Sequence, residues 1–171
     1  IYCRPQYLLR LSEAIEEAGA DLGYKWYGAR ALMSLRLEKG WGAWGLEFRP
    51  DFDAVESGMD AFINWNKEFT GKSATLAAKE AGPKRKLVTL VIDTPIDVTS
   101  DEAVLVGDTA VGYITSGGYA HHAKCSMAMA YVATEHAAAG TTLDVEILGE
   151  RYGATVQGAP IYDPSGAKMR G

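Results

Sequence analysis

The sequence predicts an α+β chain in two parts, a helix-rich stretch over residues 1–82 and a small antiparallel β-barrel over 83–171. Three observations carry that expectation. Apolar residues recur at helical spacing before Gly82. After it, short β-branched runs follow one another, punctuated by Gly, Pro, Asp and Ser at the spacing of an antiparallel barrel or sandwich. Between the two styles stands Gly82-Pro83, which stops a helix and cannot continue one.

Taken in order, Leu8, Leu9, Leu11, Ala14, Ile15 and Ala18 mark an amphipathic helix over Gln6–Ala18 that ends before Gly19. A second helix is predicted from about Trp26 to Lys39, with Ala31, Leu32, Leu35 and Leu37 apolar and Gly40 as its stop. Gly40-Trp41-Gly42-Ala43-Trp44-Gly45 reads as a loop in which backbone passes close to something flat or bulky. Val55, Met59, Phe62 and Ile63 suggest a third helical stretch, and Lys72–Ala81 a short helix closed by Gly82. Strands are expected at Leu87–Ile92, Ala103–Val106, Ala110–Ile114, Ser126–Val132, Thr142–Leu148 and Tyr152–Val156.

Composition narrows the function classes. The 171 residues are 47% hydrophobic and 23% charged, enough to build a core and unlike a disordered chain. Seventeen Lys and Arg against 22 Asp and Glu, with no long basic block, argue against a nucleic-acid partner. No apolar run is long enough to span a bilayer, so no membrane partner is expected. Cys3 and Cys125 stand far apart without metal-ligand spacing, which fits a reducing, cytoplasmic setting. The chain starts at Ile1, without Met and already inside an element, and is expected to be a piece of something longer.

Three ordered segments resemble one family. They are Ala31-Leu32-Met33-Ser34-Leu35-Arg36-Leu37-Glu38-Lys39-Gly40 with Ala43-Trp44-Gly45; Val111–Tyr119 with Ser126–Val132; and Val145–Tyr152 with Ile161-Tyr162-Asp163-Pro164. Glu56-Ser57-Gly58-Met59 and Phe69-Thr70-Gly71-Lys72 link them in the same order. Together they resemble the aminomethyltransferases, which comprise the glycine-cleavage T-protein and the folate-binding halves of sarcosine and dimethylglycine dehydrogenases. Leu32, where T-proteins carry arginine, and Ala43-Trp44-Gly45, where they carry Leu-Tyr-Gly, are similar to the dehydrogenase branch.

The resemblance implies that residues 1–82 are the C-terminal portion of a folate-binding domain and 83–171 the family's C-terminal barrel. It implies tetrahydrofolate as cofactor, one-carbon transfer from a methylated glycine or aminomethyl donor giving 5,10-methylenetetrahydrofolate, and FAD only if a further domain lies upstream. The family's assisting Asp and its Tyr-Thr-Gly-Glu motif would lie before Ile1, so no catalytic residue is assigned and the piece alone is expected to be inactive. Expected partners are a small-molecule substrate and an upstream part of the same protein or a separate subunit. Two alternatives stay open: a non-catalytic folate-binding or subunit-docking module, and a tetrahydrofolate-dependent demethylase of a sulfonium.

Trp44 is the leading candidate for cofactor binding, its indole stacking on a folate ring; the competing reading has Trp41 and Trp44 capping a core. Ser116 and Tyr119, in Thr115-Ser116-Gly117-Gly118-Tyr119 between two strands, could border the folate, or the stretch is a Gly-dependent turn. Arg36 and Glu38, two apart on a helix, do not face each other and are expected to hold the neighbouring loop. His121 and His122 lack a third ligand, so no metal is assigned. Cys125 is reactive only if Lys124 lowers its pKa; Asp51 and Asp53 read as turn residues; Lys84-Arg85-Lys86 reads as a solvated strand entry.

Overall fold

The computed structural model describes residues 1–170. They fall into two compact units, Ile1–Ala31 and a larger one beginning at Leu32. In the first, α1 (Leu8–Gly19) follows a 3-10 turn at Pro5–Tyr7 and none of its residues is buried. Trp26 donates its indole N–H to Glu16 Oε1 at 2.5 Å and meets Tyr24 edge-on.

Helix α2 (Ala29–Glu38) ends as Gly40 requires. Trp41 N–H bonds Arg36 C=O at 2.9 Å, Gly40 N–H bonds Leu37 C=O at 2.9 Å, and Gly40 sits at φ 65°. This is the Schellman pattern, in which a left-handed glycine satisfies the last carbonyls of a helix. The stretch around Val55–Ile63, expected as helix, is instead turns with one 3-10 turn at Asp60–Phe62. Asp53 Oδ1 accepts the N–H groups of Val55 and Glu56 at 2.8 Å each, and Gly58 at φ 70° breaks the helical run. Helix α3 (Lys72–Ala81) stops at Gly82, φ 77°.

Six strands follow: β1 (Arg85–Ile92), β2 (Ala103–Val106), β3 (Thr109–Ala120), β4 (Cys125–Ala133), β5 (Thr142–Ile147) and β6 (Glu150–Gln157). All pair antiparallel and close in the order β1-β4-β3-β2-β5-β6, leaving no free edge. Leu148-Gly149, both at positive φ, turns the β5–β6 hairpin. The interior is filled by side chains such as Leu90, Ile114, Val104, Val145 and Val156.

β3 runs further than expected. Thr115–Tyr119 is strand, paired with β4 through Tyr119↔Ser126, and the turn falls at His121–Lys124. A bulge between Ile114 and Ser116 keeps the ladder going. Gly117 is there for close approach: a Cβ on it would lie 2.7 Å from Val98 C=O.

β4 explains where the stretch from Arg36 to Phe52 seats. Its middle residues, Ser126–Val132, are all buried, so both faces are covered. Ala128, Ala130 and Val132 enter the barrel core. Met129 and Tyr131 alternate with them and face the segments before the barrel: Arg36 Nη1 reaches Met129 sulfur at 3.5 Å, and Phe52 stacks on Tyr131 at 3.6 Å between ring centroids. Finally α4 (Ala167–Arg170) forms a single turn at the C-terminal end. Among the described residues no helix is long and apolar enough to cross a membrane.

Candidate functional site

The loop Trp41–Phe48 joins α2 to the segment that stacks on β4, and it folds around one carbonyl. Ala43 C=O accepts the N–H groups of Leu46, Glu47 and Phe48 at 3.1–3.2 Å. Only glycine fits at 42, where a Cβ would lie 2.7 Å from the Phe48 ring. The conformation turns Glu47 inward, where it is 0% exposed.

The donors around Glu47 come from α2, its own loop, β3 and β4. Ala43 N–H donates to Oε2 at 2.7 Å, and Arg36 Nη1 lies 3.2 Å from the same oxygen. The hydroxyls of Thr115 and Ser116 donate to Oε1 at 2.6 and 2.5 Å, and Tyr131 O–H donates to Glu47 C=O at 3.1 Å. A carboxylate taken out of water is tolerable only when it is paired and bonded in this way. Burial pushes the Arg36 guanidinium below its ordinary pKa and Glu47 partly restores it. The Tyr131 phenol is driven far up, by burial first and then by Glu56 and Glu47, so it remains a donor. Arg36 also donates to Trp41 C=O at 3.2 Å, while its Nη2 is buried with no acceptor among the described residues. Glu38 faces away from this cluster: its Oε1 accepts His122 N–H at 2.8 Å.

Two hollows flank the loop. One, of about 510 Å³, is a groove walled by Leu32, Leu35, Trp41, Tyr162 and Met169, with Arg36 and Lys39 beside them. The other, of about 430 Å³, is bounded by Trp44, Phe48, Pro50, Phe52 and Met59, with Arg49 at its side. Trp41 also meets Phe48 and Phe62 edge-on at 6.4 and 5.9 Å.

The three residues singled out from sequence therefore occupy different settings. Trp44 is 88% exposed and lines the second hollow rather than capping a core. Ser116 is buried and its hydroxyl is committed to Glu47, so it holds the loop from behind. Tyr119 is 42% exposed with its ring edge-on to His121, and its C=O accepts the Ser34 hydroxyl at 2.9 Å. Arg36 does hold the neighbouring loop. Glu47, Trp41, Tyr162 and Met169 were not singled out. For Glu47 the available signal was one acid between Leu46 and Phe48 just after a Gly-Trp loop.

The remaining candidates resolve simply. Cys125 is half-buried and its thiol is pushed up, by burial first and by Glu38 second, which is opposite to activation by Lys124. Asp53 is a turn residue, as read. Arg85 is not merely solvated: it pairs with Glu56 at 3.0 Å and lies 4.6 Å over the Phe52 ring. Among the described residues no group of His, Cys, Asp and Glu could hold a metal ion.

The closed six-stranded barrel thus carries a glycine-rich loop bonded to its outer face through Glu47. The description "Glycine cleavage T-protein C-terminal barrel domain" matches residues 85–163 and "GCVT N-terminal domain" matches residues 1–67. Rat (Rattus norvegicus) mitochondrial dimethylglycine dehydrogenase is 39% identical over 164 residues, covering 94% of this chain and 19% of that protein. The aminomethyltransferase of Bacillus cereus (strain B4264) is 34% identical over 168 residues, covering 96% of this chain and 46% of that one. The crystal structure of glycine cleavage system aminomethyltransferase T from Bartonella henselae superposes with a TM-score of 0.83 at 25% identity, over 91% of this chain and 45% of that one. The chain belongs to the glycine-cleavage T-protein (aminomethyltransferase) family, and it spans less than half the length of these relatives.

Proposed function

We propose that this chain supplies the folate-facing C-terminal wall of an aminomethyltransferase-like protein, with residues 1–82 completing a folate domain and 83–171 acting as its barrel. The observation that carries the reading is the groove of about 510 Å³, whose apolar and aromatic walls stand beside Arg36 and Lys39. A reduced folate combines a flat ring system with carboxylates. The groove suits it in both respects, since Trp41 and Tyr162 line it with aromatic side chains and Arg36 keeps one buried nitrogen without an acceptor among the described residues.

When bound, a reduced folate supplies the ring nitrogen that accepts a one-carbon unit. The chain's own residues orient and desolvate it: Leu32 and Leu35 exclude water from one side, and Glu47 keeps the Trp41 loop against the barrel. Trp44, at the other hollow, and Tyr119 stand outside this groove's walls, and Ser116 is assigned to the support of the loop. The whole protein would then take the one-carbon unit from a methylated glycine or aminomethyl donor, with the acid supplied by residues outside this chain.

The test is titration of 5-formyltetrahydrofolate against the 171-residue chain, read by tryptophan fluorescence. Saturable quenching is expected, weakened about tenfold or more by Leu35→Asp, which puts a charge in the apolar wall. No quenching at millimolar ligand would sink the reading and favour a subunit-docking role for the same surface.

A further inference from the structure

The groove has two unlike walls. Leu32 and Leu35 belong to α2, a helix of ten residues. Tyr162 and Met169 belong to the C-terminal segment, whose regular structure is one turn of four residues. A single helical turn has no stability of its own, because nucleation fixes several residues for one hydrogen bond. Something else must hold that wall.

Asp163 is the residue that does so. Its side chain is 3% exposed although it lies near the end of the chain. Lys39 Nζ, just past the end of α2, donates to Asp163 C=O at 2.5 Å and to its Oδ2 at 3.3 Å. The carboxylate also accepts N–H from Lys168 on Oδ1 at 3.2 Å and from Met169 on Oδ2 at 3.4 Å. Asp163 thus bonds α2 with one set of contacts and the helical turn carrying Met169 with another. Its backbone sits at φ 45°, a conformation that Asp and Asn tolerate better than other side chains. Tyr162 N–H is bonded to Glu38 C=O at 3.0 Å, so the tyrosine is tied to α2 next to the latch.

We propose that Lys39 and Asp163 form a latch that sets the second wall of the groove, making Asp163 a positioning residue for ligand binding there. The ligand's identity rests on the folate reading above; the latch itself does not. With the latch intact, Met169 and Tyr162 face Leu32 and Leu35 across the groove. Without it the last turn melts, and a bound ring system loses the Met169 side of its slot.

The experiment compares the wild-type chain with Asp163→Ala, Lys39→Met and Asp163→Asn, using three readouts. Amide hydrogen exchange at Lys168 and Met169 is expected to accelerate strongly in Asp163→Ala while β1 and β4 amides keep their protection. Affinity for 5-formyltetrahydrofolate is expected to fall on the order of tenfold to a hundredfold, the value of one lost apolar wall. Lys39→Met should show the same pattern, and Asp163→Asn should recover part of it, because Asn keeps an acceptor and tolerates the backbone angle. Unchanged exchange at Lys168 and Met169 in Asp163→Ala overturns the latch. Accelerated exchange with unaltered affinity overturns its role in binding. If the wild type binds no folate, the functional reading fails separately, and 1-anilinonaphthalene-8-sulfonate takes its place: lower dye affinity in Asp163→Ala supports the latch, equal affinity overturns it.

Discussion

The two faces of β4 solve the same problem in opposite ways. Three of its even-numbered residues, Ala128, Ala130 and Val132, enter a barrel interior packed with Leu, Ile, Val and Ala, while the buried Ser126 hydroxyl at the strand's start is bonded to Thr94 C=O. The odd-numbered face, Met129 and Tyr131, meets an equally buried layer that contains an ion pair, two hydroxyls and a phenol converging on Glu47. Inside the barrel, adhesion is non-directional and any well-packed apolar set of the right volume will serve. Outside it, each bond fixes where one loop lies. The dry side supplies stability, while the polar side determines where Trp41, Trp44 and the groove stand.

The strongest way to break that contrast is Glu47→Ala. It leaves the Arg36 guanidinium buried without its carboxylate, along with two hydroxyls and an amide, and should cost about 3–5 kcal/mol in urea denaturation. Folate affinity should fall with it, because Trp41 is no longer held. Glu47→Leu replaces the charge by volume without removing Arg36 and should be no better. A loss below about 1 kcal/mol would mean that the pair contributes nothing as placed.

Leu90→Ala is the matching test on the dry side. Leu90 is fully buried in the barrel, and a cavity there should cost about 2–5 kcal/mol. The sharpening lies in the second readout: groove binding should be unchanged at temperatures where the variant is folded. If affinity falls in proportion to stability in both variants, the two faces of β4 are not separable.

The same contrast explains what the sequence disclosed. Barrel residues are legible because alternation, β-branching and hairpin glycines act over a few neighbours, and strands β1, β2, β4, β5 and β6 fall within two residues of their expected ends. Gly40 as the stop of α2 is equally local. Thr115–Tyr119 misled because glycine reads as a turn, whereas Gly117 is required by the approach of Val98 from elsewhere in the chain. The periodicity of Val55, Met59 and Phe62 was real as spacing but was overridden by Asp53 and Gly58. Glu47 was invisible as a hub because its partners Thr115 and Ser116 are 68 and 69 residues away. Such convergence leaves no mark on local pattern.

A smaller effect isolates one bond of the polar side. Tyr131→Phe keeps the stack on Phe52 and removes the hydroxyl that donates to Glu47 C=O. Denaturation should report a loss of about 1–2 kcal/mol, the cost of a buried carbonyl left without its partner. Tyr131→Leu should cost more, because it also removes the aromatic stack, worth about 0.5–1.5 kcal/mol beyond area.

The smallest effect is in pH dependence, where two carboxyls pull in opposite directions. Burial would raise Asp163, but the amides of Lys168 and Met169 and the Lys39 ammonium outweigh it, so its folded pKa lies below the ordinary carboxylate value. Its stabilising contribution is therefore complete above about pH 4 and is lost as pH falls through the lower folded value. Glu102 is shifted the other way: burial raises it, opposed by its bonds from Thr99. Its contribution is present below about pH 4.3 and is lost as pH rises through the folded value. Urea midpoints between pH 2.5 and 6.5 should thus show a less steep acid limb for Asp163→Asn and a gain confined to the upper part of that range for Glu102→Gln. Because the Asp163 segment carries Met169, the Asp163→Asn difference should also appear in groove affinity, and the Glu102→Gln difference should not. Parallel pH curves for wild type and Asp163→Asn would show that the latch carboxyl is as free in the folded chain as in the unfolded one.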